Sequence, residues 1–194
     1  MIRISKERVK REVREWIEAI IIAFVLTLII RAFVVQAFKI PSSSMYPTLQ
    51  KGDKLFVNKF IYRFREPERW EIIVFKYPED PRKDFIKRLI AFEGEEVEIR
   101  DGMIYINGER QDPPGEIYGN VYYNQDDFAR MGEPVLVPED SYFVLGDNSM
   151  SSRDSRYWGF VPKKNMVGKA FVRWWPLSRL GRLDRMITPK SESS

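Results

Sequence analysis

The chemistry open to this chain is set first by what it lacks. Its 194 residues include no histidine and no cysteine. A Ser-His-Asp triad and a cysteine nucleophile are therefore excluded. Three consecutive serines stand between prolines in Ile40-Pro-Ser-Ser-Ser-Met-Tyr-Pro-Thr-Leu49, just after the only strongly hydrophobic segment. Serine and proline are common loop residues, so this stretch alone reads as a loop. If one of these serines is a nucleophile, its base must be a lysine or a carboxylate. A lysine can serve when an apolar pocket favours loss of its proton. The candidate is Lys87, in Asp84-Phe-Ile-Lys-Arg-Leu-Ile-Ala91. Its neighbours Phe85, Ile86, Leu89 and Ile90 read as a buried strand with charges in its middle. The plainer alternative makes Lys87 and Arg88 solvated strand residues.

A third stretch is Gly146-Asp-Asn-Ser-Met-Ser-Ser-Arg-Asp-Ser-Arg-Tyr-Trp-Gly-Phe160. Together the three resemble the bacterial type I signal peptidases (leader peptidases, the serine–lysine family S26), from about Phe38 to about Pro176. The resemblance implies a serine endopeptidase that cleaves exported preproteins after small residues, at Ala-x-Ala sites, with no cofactor. It implies Ser44 as nucleophile and Lys87 as general base, acting through an acyl-enzyme. The oxyanion hole would be the Ser44 N–H and the Ser42 hydroxyl, and Ser152 would orient the lysine amine. Arg88, Asp147, Asp154 and Arg156 would form a supporting ion-pair set. Phe38, Ile40 and Ile86 match positions lining shallow pockets for small side chains. Ser43 stands where relatives often have glycine, and Ser149 where many have arginine. The second departure bears on local loop contacts.

These residues need a frame. Leu55–Asn58, Glu71–Tyr77, Val97–Arg100, Met103–Ile106, Tyr142–Leu145 and Lys169–Trp175 read as strands. Asp101-Gly102 and Asn107-Gly108 are turn pairs of tight hairpins. If Phe38 to Ser44 is extended, residues 38, 40, 42 and 44 share one face. Residues 111–137 are polar and turn-rich and read as an excursion from the core. Lys190–Ser194 reads as a frayed tail. The expected class is mainly β, with coiled, twisted antiparallel sheets of the kind found in signal peptidases and self-cleaving SOS repressors. No Cys/His metal cluster is available. The acidic group Glu93, Glu95 and Glu96 reads as a solvated turn.

Residues 1–15 carry a net charge of +3, Lys163–Arg185 of +6, and the remainder of −5. With no nucleic-acid motif or basic stripe, anionic lipid is the better partner for the basic ends. Ala19–Ile30 is uncharged, but its helical length of roughly 18 Å falls short of a bilayer core of about 30 Å. Admitting Glu18 and Arg31, with the arginine snorkelling, makes a span feasible. A cleaved signal and an amphipathic surface helix compete. Arg31-Ala-Phe-Val-Val35 is a poor cleavage site, and Ala19–Ile30 has no polar face. The expectation is a basic cytoplasmic segment at 1–15, a transmembrane helix at 16–37 and an extracytoplasmic catalytic domain at 38–194. Trp174-Trp175 reads either as core packing or as an interfacial anchor.

Other classes remain open on sequence: a specialised pilin processor, a self-cleaving repressor, or a non-catalytic membrane-anchored β module. An apolar helix stands where a repressor would carry its DNA-binding domain. The presence of both Ser44 and Lys87 argues against the inert module. The sequence assigns no oligomeric state.

Overall fold

The structure, a computed structural model, describes residues 6–33, 35–113, 117, 119–124 and 127–183. Runs rich in β-branched and aromatic side chains form its strands, because such side chains pack well on a pleated surface. The helix α1 (Lys6–Phe33) leads to β1 (Val35–Lys39), β2 (Lys54–Asn58), β3 (Ile72–Tyr77) and the long β4 (Asp80–Phe92). Next come β5 (Glu96–Arg100), β6 (Met103–Ile106), β7 (Glu109–Gln111) and β8 (Val135–Leu136). β9 (Ser141–Leu145), a short helix α2 (Ser155–Trp158), β10 (Val161–Pro162), β11 (Met166–Trp175) and β12 (Gly181–Arg182) follow. The larger sheet runs β1-β2-β11-β3-β4-β9-β10, with β12 added to β11, and the smaller runs β7-β6-β5-β8. Every pairing between these strands is antiparallel. The fold is mainly β, as the sequence suggests.

The two predicted hairpins form. Asp101 and Gly102 have φ of 51° and 79°, and Asn107 and Gly108 have 52° and 80°. Positive φ at both central residues is the signature of the turn that matches strand twist. Strand β4 lies inside the larger sheet, with Arg88 opposite Ile72 of β3 on one side and Leu145 of β9 on the other. Both flanking strands are almost wholly buried. Whatever β4 carries at positions 87 and 88 is thus taken out of water.

Residues 111–137 are less detached than their polarity suggests. Ile117, Tyr122 and Ala129 pack into the core of Ile99, Ile104 and Phe143. Asn120 Nδ2 also donates to the Asp147 carbonyl at 2.8 Å. Two of the acidic residues at 93–96 are also engaged in ion pairs. Glu95 pairs with Arg69 at 2.6 Å and Glu93 with Lys163 at 2.8 Å.

Two expectations change. The helix ends at Phe33 and not at residue 37, because Val35–Lys39 pairs with β2 from Val35↔Asn58 to Lys39↔Lys54. The extended run stops at Ile40, where Ile40 N–H bonds the Asp53 carbonyl at 2.8 Å, and Ser44 lies in the turn that follows. A single extended face from 38 to 44 therefore does not form. Among the described residues, no helix is long and apolar enough to cross a membrane. Within α1 the side chains of Ile20, Ile21, Ile22 and Phe24 are nevertheless exposed on successive faces. The two tryptophans separate: Trp174 stacks on Phe56 at 5.6 Å, while Trp175 is exposed beside exposed Leu177 and Leu180. Arg31's side chain and the tail at 190–194 lie outside the described residues.

Candidate active site

The serine turn is built from backbone hydrogen bonds. Tyr46 N–H donates to the Ser43 carbonyl at 3.0 Å and Leu49 N–H to the Met45 carbonyl at 2.8 Å. Buried Met45 and Leu49 anchor the turn in an apolar cluster with Ile40, Ile72 and Val74. Partly buried Phe38 and Ile86 pack on the same cluster. Phe38, Ile40 and Ile86 are thus brought together beside the serines. Ser42 is exposed, and its Oγ lies 3.3 Å from Ser44 Oγ.

Lys87 reaches the turn from β4. Its Nζ donates to Ser44 Oγ at 2.7 Å. Both side chains are deeply buried, with Lys87 4 % and Ser44 6 % exposed. Burial dominates the electrostatics and pushes the lysine pKa down to about 8. The carboxylates of Asp154 and Asp147 oppose that shift, and the Arg156 guanidinium adds to it. The pair is therefore a serine hydroxyl facing an amine that loses its proton near pH 8, well below the ordinary lysine value, which is what general-base activation requires.

The stretch 146–160 clamps the turn. Asn148 N–H donates to the Ser44 carbonyl at 3.1 Å, and Asn148 Nδ2 to the Ser43 carbonyl at 3.2 Å. Two buried ion pairs hold this stretch. Arg88 grips Asp147 through Nε at 2.7 Å and Nη2 at 2.6 Å, tying β4 to the loop after β9. Arg156 grips Asp154 through Nε and Nη2, both at 2.8 Å. Asp154 also caps α2 by accepting from Arg156 N–H, and it accepts from Gly146 N–H at 2.9 Å. The Arg156–Asp154 pair lies within the loop and makes it rigid, whereas Arg88–Asp147 joins it to the lysine strand.

Ser152 is buried at the site, but its Oγ has no hydrogen-bond partner. The expected bond to the lysine amine is not formed. The hydroxyl lies over Gly146 instead, and Lys87 Nζ is directed to Ser44. Ser149 has its own contacts: its Oγ accepts from Tyr123 N–H and from Arg156 Nη1, at 2.8 and 2.7 Å.

Residue-type reasoning missed three members of the site. Thr48 donates to Asp147 Oδ2 at 2.6 Å and so completes the Arg88 cluster. Asn148 holds the serine turn. Gly146 gives the third stretch room to approach: a Cβ there would lie 2.1 Å from Ser152 Oγ and 2.5 Å from the Ser44 carbonyl oxygen. The available signal was a glycine heading the motif at the end of a buried strand. Gly146→Ala is expected to displace Ser44, because one of the atoms it meets is backbone. A misplacement of about 1 Å can cost roughly a hundredfold in rate. Steady-state cleavage should show kcat falling on that scale, in a protein that retains its β circular dichroism.

Comparison with known proteins places these motifs in a family. The model of a family described as "Signal peptidase, peptidase S26" matches residues 13–175. A Synechocystis sp. protein named "Probable signal peptidase I-2" is 43 % identical over 194 residues, which cover 92 % of this chain and 82 % of that one. A signal peptidase I of Leptolyngbya laminosa is 40 % identical over 193 residues, covering 92 % and 88 %. A crystallised signal peptidase I from Enterococcus faecalis is 35 % identical, with 54 % of this chain and 97 % of that chain aligned at a TM-score of 0.45.

Proposed function

The chain belongs to the signal peptidase family, peptidase S26, and on that premise we propose how its residues divide the work. The protein is a serine endopeptidase that cleaves signal peptides. Ser44 Oγ attacks the scissile carbonyl while Lys87 Nζ takes its proton, and the tetrahedral intermediate collapses to an ester on Ser44. Lys87 passes the proton to the departing amine, then takes a proton from the water that attacks the ester and returns it to Ser44 Oγ as the acid is released. The Ser44 N–H and the Ser42 hydroxyl donate to the oxyanion. The unpartnered Ser152 hydroxyl gives Lys87 a second bonding partner during these transfers. The observation that carries this reading is the 2.7 Å contact between a buried, easily neutralised lysine and a serine.

Phe38, Ile40 and Ile86 select small side chains by steric exclusion, so the preferred sites end Ala-x-Ala in secreted preproteins. Residues 38–194 form the extracytoplasmic catalytic domain. Helix α1 anchors it in the cell membrane with the basic N-terminus in the cytoplasm. The consecutive exposed isoleucines at 20–22 support this, since nothing in the protein covers them among the described residues. Exposed Trp175, Leu177 and Leu180 lie against the bilayer surface.

The test is digestion of a preprotein carrying an Ala-x-Ala site by detergent-purified enzyme, with the cut located by mass spectrometry. One cut after the second alanine is expected, and none with Ser44→Ala. Cleavage that persists in folded Ser44→Ala would remove the assignment of the nucleophile.

A further inference from the structure

A cleft of about 720 Å³ opens away from the catalytic cluster; Ser44, Lys87 and Ser152 do not line it. Lys59, Arg63, Lys76, Lys163 and Lys164 line it, against the acidic Glu66 and Asp84. Three of these cations are engaged: Lys76 pairs with Asp84 at 2.7 Å, Lys163 with Glu93 at 2.8 Å, and Lys59 has a partner of its own. Arg63 rests on the Phe60 ring, 5.1 Å from its centroid, and is exposed to solvent. Neither Arg63 nor Lys164 has a carboxylate within ion-pair distance among the described residues.

The backbone that presents these two cations is fixed. Asn58 Oδ1 accepts from Phe60 N–H at 2.9 Å and Ile61 N–H at 3.0 Å, which sets the short helical turn Ile61–Arg63. Tyr62 of that turn donates to buried Glu71 at 2.9 Å. Across the cleft, Asn165 Nδ2 donates to the Lys76 carbonyl at 3.0 Å and secures the turn Lys163–Asn165. Gly168 lets β11 close on this wall, since a Cβ there would lie 2.3 Å from the Asn58 carbonyl oxygen. Gln36 also lines the cleft, three residues beyond the end of α1. The concavity thus opens at the base of the helix.

We propose that this cleft binds the phosphate of an anionic phospholipid headgroup, with Arg63 and Lys164 as its ligands. The proposal rests on the reading of α1 as a membrane anchor, which puts the base of the helix at headgroup depth. A guanidinium is well shaped for two parallel bonds to phosphate oxygens, and a lysine ammonium adds a point charge. Bound there, the headgroup would fix the orientation of the larger sheet to the bilayer.

The full chain in neutral detergent is titrated with dihexanoyl-phosphatidylglycerol, dihexanoyl-phosphatidylcholine and inorganic phosphate. Amide hydrogen exchange is followed at residues 59–67 and 161–167. The anionic lipid should protect both segments saturably, and the other two ligands should bind about tenfold or more weakly. R63Q/K164Q should weaken the anionic lipid by roughly thirtyfold and leave cleavage of a soluble peptide unchanged. Equal binding by the double variant overturns the site, and inorganic phosphate binding as tightly as the lipid overturns the lipid assignment. Flotation with neutral phosphatidylcholine vesicles tests the anchor separately. A chain that fails to float loses the anchor reading, whereas one that floats but shows no lipid protection loses only the cleft.

Discussion

Lys87→Met will abolish cleavage and, at neutral pH, will make the folded protein more stable. The first effect follows from removal of the base in contact with Ser44, a loss on the order of 10⁴-fold or more. The second follows from the folded-state pKa of about 8 against an ordinary 10.5. Between those values the unfolded chain holds the proton more tightly, so stability rises with pH across the window. Below pH 8 both states are protonated and the full penalty, about 3 kcal/mol, is present. Methionine has no charge to bury. It forfeits the bond to Ser44, worth about 1 kcal/mol. A net gain of about 2 kcal/mol is expected at pH 7, and it should disappear above about pH 10.5. Denaturant titrations of both proteins at pH 7 and pH 10.5 measure the difference. Equal stability of the two at pH 7 would contradict a desolvated ammonium. The same pKa governs the wild-type rate, which should fall about tenfold per pH unit below 8 and level off above it. A flat profile from pH 6 to 9, with chemistry rate-limiting, would sink the lysine as base.

Local sequence shows only part of how this pair is achieved. Lys87 stood out as a candidate because four apolar neighbours imply a buried strand and because histidine and cysteine are absent, and the resemblance carried by the three stretches gave it the role of base. The meander at 97–106 was legible because Asp-Gly and Asn-Gly encode their own turns. The end of α1 was not, since the apolar run continues through Val34 and Val35, and periodicity in such a run does not separate helix from strand. Pairing with β2, whose partners lie 15 to 23 residues away, decides it. Glu71 was equally hidden. It reads as the first residue of a strand, yet it is fully buried and satisfied by Tyr62, Arg65 and Lys169. Lys169 lies 98 residues from it in sequence. Thr48 and Asn148 were illegible for the same reason: their roles exist only once the serine turn and the loop after β9 are brought together.

The Arg88–Asp147 pair is where that assembly is most vulnerable. Asp147→Ala is expected to destabilise the protein by about 3–5 kcal/mol, because buried Arg88 would lose the carboxylate that it grips through two nitrogens. Its side chain is 1 % exposed, so water does not replace the lost carboxylate. Two of the contacts that Arg88 keeps, to the Trp70 carbonyl at 2.6 Å and the Thr48 hydroxyl at 3.3 Å, are to neutral acceptors. A loss of this size is a large part of the 5–15 kcal/mol that holds an ordinary domain folded. Asp147→Asn keeps the shape and separates stability from chemistry. The Asp147 charge raises the Lys87 pKa, so neutralising it should lower that pKa and move the acid limb of the pH–rate profile to lower pH. A variant that only loosened the fold would reduce kcat without moving the limb. The double change Arg88→Met with Asp147→Leu supplies the remaining control. Replacing both members of a buried pair by apolar groups of similar volume often restores stability, so the double variant should be more stable than Asp147→Ala. Its activity should stay low, because no charged bond would then tie the lysine strand to the loop that holds Ser44. Full activity in a stable double variant would show that packing alone aligns Lys87 with Ser44.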